Sequence, residues 1–246
     1  MAFGDSADCP RPRISELPIA AMTDAPVAAY LSLSVQTEIV MSNVLVIKSS
    51  ILGDASVSTA LVAQTVARLR AADGGLVVVE RNLGETPIPH IDGDAAIALR
   101  GEPANDAQRM ARELSDALVA ELQAADTIVI GAPMYNFGIA STLKAWFDYV
   151  LRAGVTFRYT EAGPEGLLKG KRAIVVASRG GLYSEGPAKS FDSQEPHLRT
   201  LLGFIGITDV EFVRVERLAF GPEAREQSIA DAEQRIADII GVRKAA

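Results

Sequence analysis

The sequence predicts a doubly wound α/β protein, with one five-stranded parallel sheet and helices on both faces. From Met41 onward short apolar runs alternate with stretches of helical periodicity, as successive βα units in one sheet do. The run Leu76 to Val79 is continuous in apolar residues, the pattern of a strand covered on both faces.

Val44-Leu45-Val46-Ile47 opens the first strand, which ends at Lys48. Ser49 to Ser58 is a loop of small polar residues, and Leu61, Val62, Thr65, Val66 and Leu69 then recur at helical spacing up to the stop Asp73-Gly74-Gly75. After the second strand, Leu76 to Val79, the segment through Pro87, Pro89 and Gly93 is weakly periodic. Asn105 can cap a helix whose Met110, Leu114, Leu118 and Leu122 share one face as far as about Ala125. The third strand, Thr127 to Gly131, leads into Ala132-Pro133-Met134-Tyr135-Asn136-Phe137-Gly138 and a helix from near Ala140 to Arg152. Thr156 to Thr160 alternates like a hairpin arm, with Gly163-Pro164-Glu165-Gly166 as turn chemistry. A fourth main strand, Ala173 to Ala177, is followed by Ser178-Arg179-Gly180-Gly181, a loop to about Gln194, and a helix through Leu198 and Leu202. A fifth strand from Val210 to Val215 and a helix from Pro222 to Ile240 complete the pattern.

At 246 residues with 48% hydrophobic content the chain can bury a sizeable core. Net charge is −7, and no cluster of Lys or Arg forms an electrostatic footprint for nucleic acid or anionic lipid. Cys9 is the only cysteine, so a disulfide framework and a thiolate metal cage are excluded, and a reducing cytoplasm fits. Residues 1–40 hold Pro10, Pro12, Pro18 and Pro26, and their moderately apolar part is broken by Asp24. They match neither a signal peptide nor a membrane span. They are expected to be a disordered tail or a misplaced translation start, leaving 41–246 as the domain.

Right-handed crossovers and a sheet of this size give the strand order 2-1-3-4-5, with the switch point between the first and third strands. Ligands bind there, outside the carboxyl ends of the strands. Three loops converge on that crevice: Ser49 to Ser58, Met134 to Gly138, and Ser178 to Gly181. No GxxxxGK[ST], GxGxxG or GxSxG occurs, which disfavours triphosphate, Rossmann dinucleotide and serine-hydrolase sites. His90 and His197 have the contexts of surface or capping residues.

Ser49, Ser50, Ser56, Ser58 and Thr59 at a strand-to-helix junction can make a neutral cradle for a monoester phosphate; taken alone, the loop is more simply explained by Ser58 as an N-cap. Met134, Tyr135 and Phe137 can pack on a planar ring while Asn136 bonds its polar edge. Gly180 and Gly181 let backbone approach a ligand closely. Together these describe a flavin mononucleotide (FMN) site.

Lys48-Ser49-Ser50, Pro133-Met134-Tyr135-Asn136-Phe137, Arg152-Ala153-Gly154-Val155-Thr156-Phe157-Arg158-Tyr159, Gly163 to Gly166, Ser178 to Gly181 and Leu202-Gly203-Phe204-Ile205-Gly206 resemble the flavodoxin-like FMN-dependent NADH-azoreductases, also called FMN-dependent NADH:quinone oxidoreductases. The resemblance runs from Met41 to about Ile240. It implies FMN held by Ser50, Ser56, Val57 and Ser58, by Met134, Tyr135, Asn136 and Phe137, and by Ser178, Arg179, Gly180 and Gly181. It further implies a homodimer with each site at the subunit interface, Tyr159 and Phe204 lining the substrate pocket. The loop from Leu182 to His197 is a few residues longer than the family pattern, a departure that bears on substrate choice.

The expected activity is electron transfer from NADH through FMN to quinones or azo compounds, with the redox chemistry on the cofactor and no catalytic side chain. Trp146 is expected on a buried helix face or at a dimer contact. Lys144 and Asp148 are expected to form a solvated helix pair. Arg158 and Arg179 are either attractors of NADH phosphates or ordinary surface cations. The alternatives are a flavodoxin-like electron carrier and a non-enzymatic flavin or redox sensor.

Overall fold

The computed structural model describes residues 42–241; the expectations for residues 1–40 lie outside them. Five strands pair in parallel in the order β2 (Val77–Asn82), β1 (Asn43–Lys48), β3 (Thr127–Pro133), β6 (Arg172–Ser178), β7 (Asp209–Val215). Numbered among themselves along the chain, these are strands 2-1-3-4-5, the expected topology. Every residue of β3 and of β6 is buried, so the sheet centre is apolar on both faces.

Because side chains alternate along a strand, the sheet feeds two cores. Leu45, Ile47, Ile128 and Ile130 point to one, against α3 (Asp106–Ala124), α4 (Ser141–Val150), α5 (Glu195–Phe204) and the short α2 (Gly93–Ala98). Val44, Val46, Val129, Ile174 and Val176 point to the other, against α1 (Val57–Ala72) and α6 (Pro222–Gly241). Trp146 is fully buried in the first core, edge-on to Phe147 at 4.9 Å.

Four local expectations are corrected. The second strand lies at the sheet edge, with Val77 and Val79 exposed; a short apolar run does not reveal how many neighbours a strand has. It also continues through Glu80, Arg81 and Asn82, carried on by pairing with Val46, Ile47 and Lys48. The weakly periodic segment contains α2, whose Asp92 side chain accepts the Ala95 N–H. Asn105 does cap α3 through the Gln108 N–H, but Met110 is exposed and the buried face is Ser115, Leu118, Val119 and Leu122. Gly163–Gly166 is not a turn. It is β5, antiparallel to β4 (Phe157–Thr160), and Gly166 lies so close to Gly206 that a Cβ would sit 2.1 Å from the Gly206 nitrogen.

Candidate functional site

The carboxyl ends of β1, β3 and β6 bring the three predicted loops side by side, and the chain ties them together. The Tyr135 phenol accepts the Ile51 N–H at 3.2 Å and meets the Ser50 hydroxyl at 3.4 Å, joining second loop to first. The Met134 N–H donates to the Ser178 carbonyl at 2.8 Å, joining second to third. Tyr135 is thus a clamp on the crevice wall as well as a ring beside it.

In the first loop Ser49 donates to the Gly131 carbonyl. Ser50, Ser56 and Ser58 are buried. The N-cap of α1 is Ser56, which accepts the Thr59 N–H, and not Ser58. Ser58 stands one residue inside the first turn, 3.0 Å hydroxyl to hydroxyl from Ser56. The Val57 and Ser58 N–H groups then have no intrahelical acceptor, which makes the helix start an anion site of the usual kind. Gly84, beyond β2, passes so close beneath this loop that a Cβ would lie 2.0 Å from the Ser50 carbonyl oxygen.

In the second loop Tyr135 and Gly138 exchange backbone hydrogen bonds across Asn136 (φ 47°) and Phe137 (φ 73°). Both central residues are left-handed, as in a type I′ turn. Asn tolerates this conformation and Phe does not. The Phe137 carbonyl is held by the Ser193 N–H at 3.0 Å, and its ring packs on Tyr183 and Phe191. The Leu182 to His197 loop thus supplies the ring neighbours of Phe137.

The third loop departs most from expectation. Arg179 is no surface cation: its side chain is at 0% exposure. Its Nε donates to Gln194, its Nη1 to Glu216 at 3.0 Å, and its Nη2 lies 3.0 Å from Asp192, close enough for an ion pair though not aligned as a hydrogen bond. What remains for a ligand is backbone. The Gly180 and Gly181 carbonyls are taken by Ala219 and Arg217, while their N–H groups meet no acceptor among the described residues. The Tyr183 ring covers Gly181, 2.9 Å from where a Cβ would stand.

Four residues absent from the predicted site hold it. Gln194 spans from Arg179 to the Ala132 carbonyl on β3. Glu216 accepts the Tyr183 and Ser184 N–H groups, the Ser184 hydroxyl and Arg179. Burial pushes its carboxyl up, but the bonds from Ser184, Tyr183 and Arg179 outweigh this and hold it below the ordinary range. Tyr183 and Gly84 complete the set; only the extra loop length hinted at Tyr183, and no local signal marked the others.

Tyr159 and Phe204 do not join the crevice of their own chain. They cluster with Phe157 where the β4–β5 hairpin meets the last turn of α5. The first turn of α5 lies at the crevice end of the sheet, roughly 13 Å away along the helix. Tyr159 is 73% exposed. Arg158 pairs with Glu165 on the hairpin. Lys144 and Asp148 form the expected helix pair. His90 is exposed, and His197 is half-buried within α5, its pKa lowered by desolvation and then by Lys144. Among the described residues no acidic, His or Cys cluster could hold a metal, and no helix is long and apolar enough to cross a membrane.

Fold and crevice define a flavodoxin-like protein, and the family described as having a flavodoxin-like fold matches residues 42–240. An FMN-dependent NADH:quinone oxidoreductase of Hyphomonas neptunium is 53% identical over 199 residues, covering 81% of this chain and 96% of the relative. One from Ralstonia nicotianae is 52% identical over 200 residues, covering 80% and 96%. Among solved structures, an azoreductase from Bacillus anthracis aligns with TM-score 0.76 at 30% identity over 81% of this chain and 99% of that one. An FMN-dependent NADH-azoreductase of the same species, solved in complex with FMN, aligns with TM-score 0.73 at 26% identity over 81% and 100%. The chain belongs to the family of FMN-dependent NADH:quinone oxidoreductases and azoreductases.

Proposed function

We propose that the chain passes two electrons from NADH to quinones and to azo compounds, cleaving the latter to aromatic amines, with one FMN per subunit. The observation that carries this is the linkage of three loops, Tyr135 to Ile51 and Met134 to Ser178, around backbone donors left without acceptors. The residues present fit FMN. The buried Ser50, Ser56 and Ser58 hydroxyls and the first N–H groups of α1 suit a phosphate monoester. Met134, Tyr135, Asn136 and Phe137 offer a flat wall with an amide. The Ser178 hydroxyl and the Gly180 and Gly181 N–H groups offer donors to a polar ring edge, while the Arg179 N–H is spent on the Val215 carbonyl.

When bound, FMN supplies the two-electron redox chemistry, so no side chain acts as nucleophile or base. The chain's work is orientation and electrostatics. The Gly180 and Gly181 N–H groups would serve as fixed dipoles favouring negative charge on the bound cofactor. Asn136 would hydrogen-bond the ring's polar edge, and Phe137 and Tyr183 would pack beside it. Donor and acceptor then use one slot in turn, a ping-pong scheme.

The placement of Tyr159 and Phe204 supports a homodimer in which each chain offers this aromatic pair to its partner's crevice. The single cysteine, Cys9, accords with a cytoplasmic protein. Anaerobic stopped-flow tests the activity. The FMN-loaded protein should bleach on mixing with NADH and regain colour with benzoquinone or methyl red, whereas absence of bleaching would overturn the proposal. An electron carrier or a sensor would not turn over with small acceptors.

A further inference from the structure

Arg158 and Arg179, the cations first considered for the phosphates of a nicotinamide donor, are both committed elsewhere: one to Glu165 on the hairpin, the other to the buried acids beneath the third loop. Another set of cations surrounds a cavity of about 400 Å³, between the loop after Gly181, the first turns of α5 and strand β7. Tyr183, Ser184, Lys189, Glu195, Arg199 and Arg214 line it. Its volume falls in the range of small-molecule pockets.

The charges around it leave donors unspent. Arg214 grips Glu195 with Nε and Nη2, and Arg199 reaches the same carboxylate with its own Nε and Nη2. Nη1 of each guanidinium therefore has no acceptor among the described residues, and both side chains stay more than two-fifths exposed. Lys189, exposed on the short helical turn Pro187–Phe191, has no carboxylate partner among the described residues. The acids present are already compensated. Asp192 pairs with Arg179 and accepts the Gln194 and Glu195 N–H groups, and Glu195 is shared by Arg199 and Arg214, with Arg179 at 3.7 Å. A cavity lined by three cations, whose two carboxylates are paired to Arg179 and to Arg199 and Arg214, suits a pyrophosphate.

Its position decides which pyrophosphate. Tyr183 belongs to both places: its ring covers Gly181 and meets Phe137 edge-on at 6.1 Å in the crevice, and it also lines the cavity. A molecule with a flat ring in the crevice and a pyrophosphate a few bonds away would cross Tyr183 into the cavity. We infer that this cavity docks the adenosine diphosphate half of the nicotinamide donor, with Lys189, Arg199 and Arg214 holding its phosphates. This rests on the proposed activity and assigns the longer Leu182 to His197 loop a role in donor binding.

Lys189→Glu reverses the one charge that supports no other contact, and two measurements on the FMN-loaded protein test it. Calorimetric titration with ADP-ribose reads the cavity without turnover, and its Kd should rise about tenfold in the variant, as loss of one phosphate contact predicts. In the reductive half-reaction, the apparent Kd for NADH relative to that for N-benzyl-dihydronicotinamide, which carries no phosphate, should rise by a similar factor. Unchanged ADP-ribose affinity, or an equal loss for both donors, would overturn the inference. If neither donor bleached the wild-type flavin, the proposed activity would fall instead, while the ADP-ribose titration would still decide the cavity. Arg199→Gln, which also loses its contact with the Phe212 ring at 4.4 Å, should act in the same direction.

Discussion

Arg179 donates to Glu216 at 3.0 Å beneath the third loop, the arginine fully buried and the glutamate nearly so. This pair joins the end of β6 to the residue after β7, and through the other Glu216 bonds it fixes Tyr183 over Gly181. The loop donors are thus placed by a buried charge pair that itself never reaches the crevice.

Glu216→Gln should cost about 2 kcal/mol of stability at neutral pH, because Arg179 loses a charged acceptor in a buried place. The folded Glu216 carboxyl lies below its ordinary range, so its contribution is present above the unfolded pKa and is lost as pH falls through the folded value. Wild type and variant should therefore begin to converge as pH falls below about 4 and meet only below the folded carboxyl's own pKa. Denaturant titrations across that range check this; a gap that stayed constant down to acid pH would contradict it.

Gly84→Ala should destabilise the fold by about 2 kcal/mol, since the new methyl would collide with the Ser50 carbonyl oxygen. Backbone is the obstacle there, so the first loop must move. FMN affinity, read by quenching of flavin fluorescence, should fall in parallel. Wild-type stability and affinity together would show that the approach is not tight.

Asn136→Gly should keep the left-handed turn, which Gly adopts freely, while removing the amide. An approximately fivefold weaker FMN Kd with little change in Tm is expected for one lost hydrogen bond. Asn136→Ala should weaken binding similarly and also lower Tm, because Ala resists φ 47°. Equal FMN affinity in all three proteins would remove Asn136 from the site.

Tyr159→Ala should slow turnover of flat acceptors without weakening FMN binding, because Tyr159 is remote from its own crevice. Gly181→Val should weaken FMN binding by displacing Tyr183. Mixing the two impaired variants should restore part of the activity, since one site of the mixed dimer would have both wild-type halves. Mixtures no better than either variant alone would argue against shared sites.

The strand–helix order, the three loops and their donor types were legible because βα periodicity is local and the switch-point rule turns strand order into a location. Sequence does not separate Ser56 from Ser58 as the cap, because either serine satisfies a capping pattern, and only the backbone shows where α1 begins. The burial of Arg179 is not legible in sequence, because an arginine beside two glycines carries no sign of the acids that bury it. Asp192, Glu195 and Glu216 come from 13 to 37 positions further along the chain.

The sequence by itself determined the class of fold, the crevice and the backbone-and-hydroxyl character of its lining, since hydrophobic spacing and loop composition act over a few residues. Only the tertiary structure decided which side chains are free to meet a ligand. It buried Arg179, placed Tyr159 and Phe204 at the far end of α5, laid Tyr183 over Gly181, and left Lys189, Arg199 and Arg214 around a cavity. Those outcomes depend on ion pairs and close approaches between distant segments, whose energies exist only once the sheet has brought β6, β7 and the long loop together.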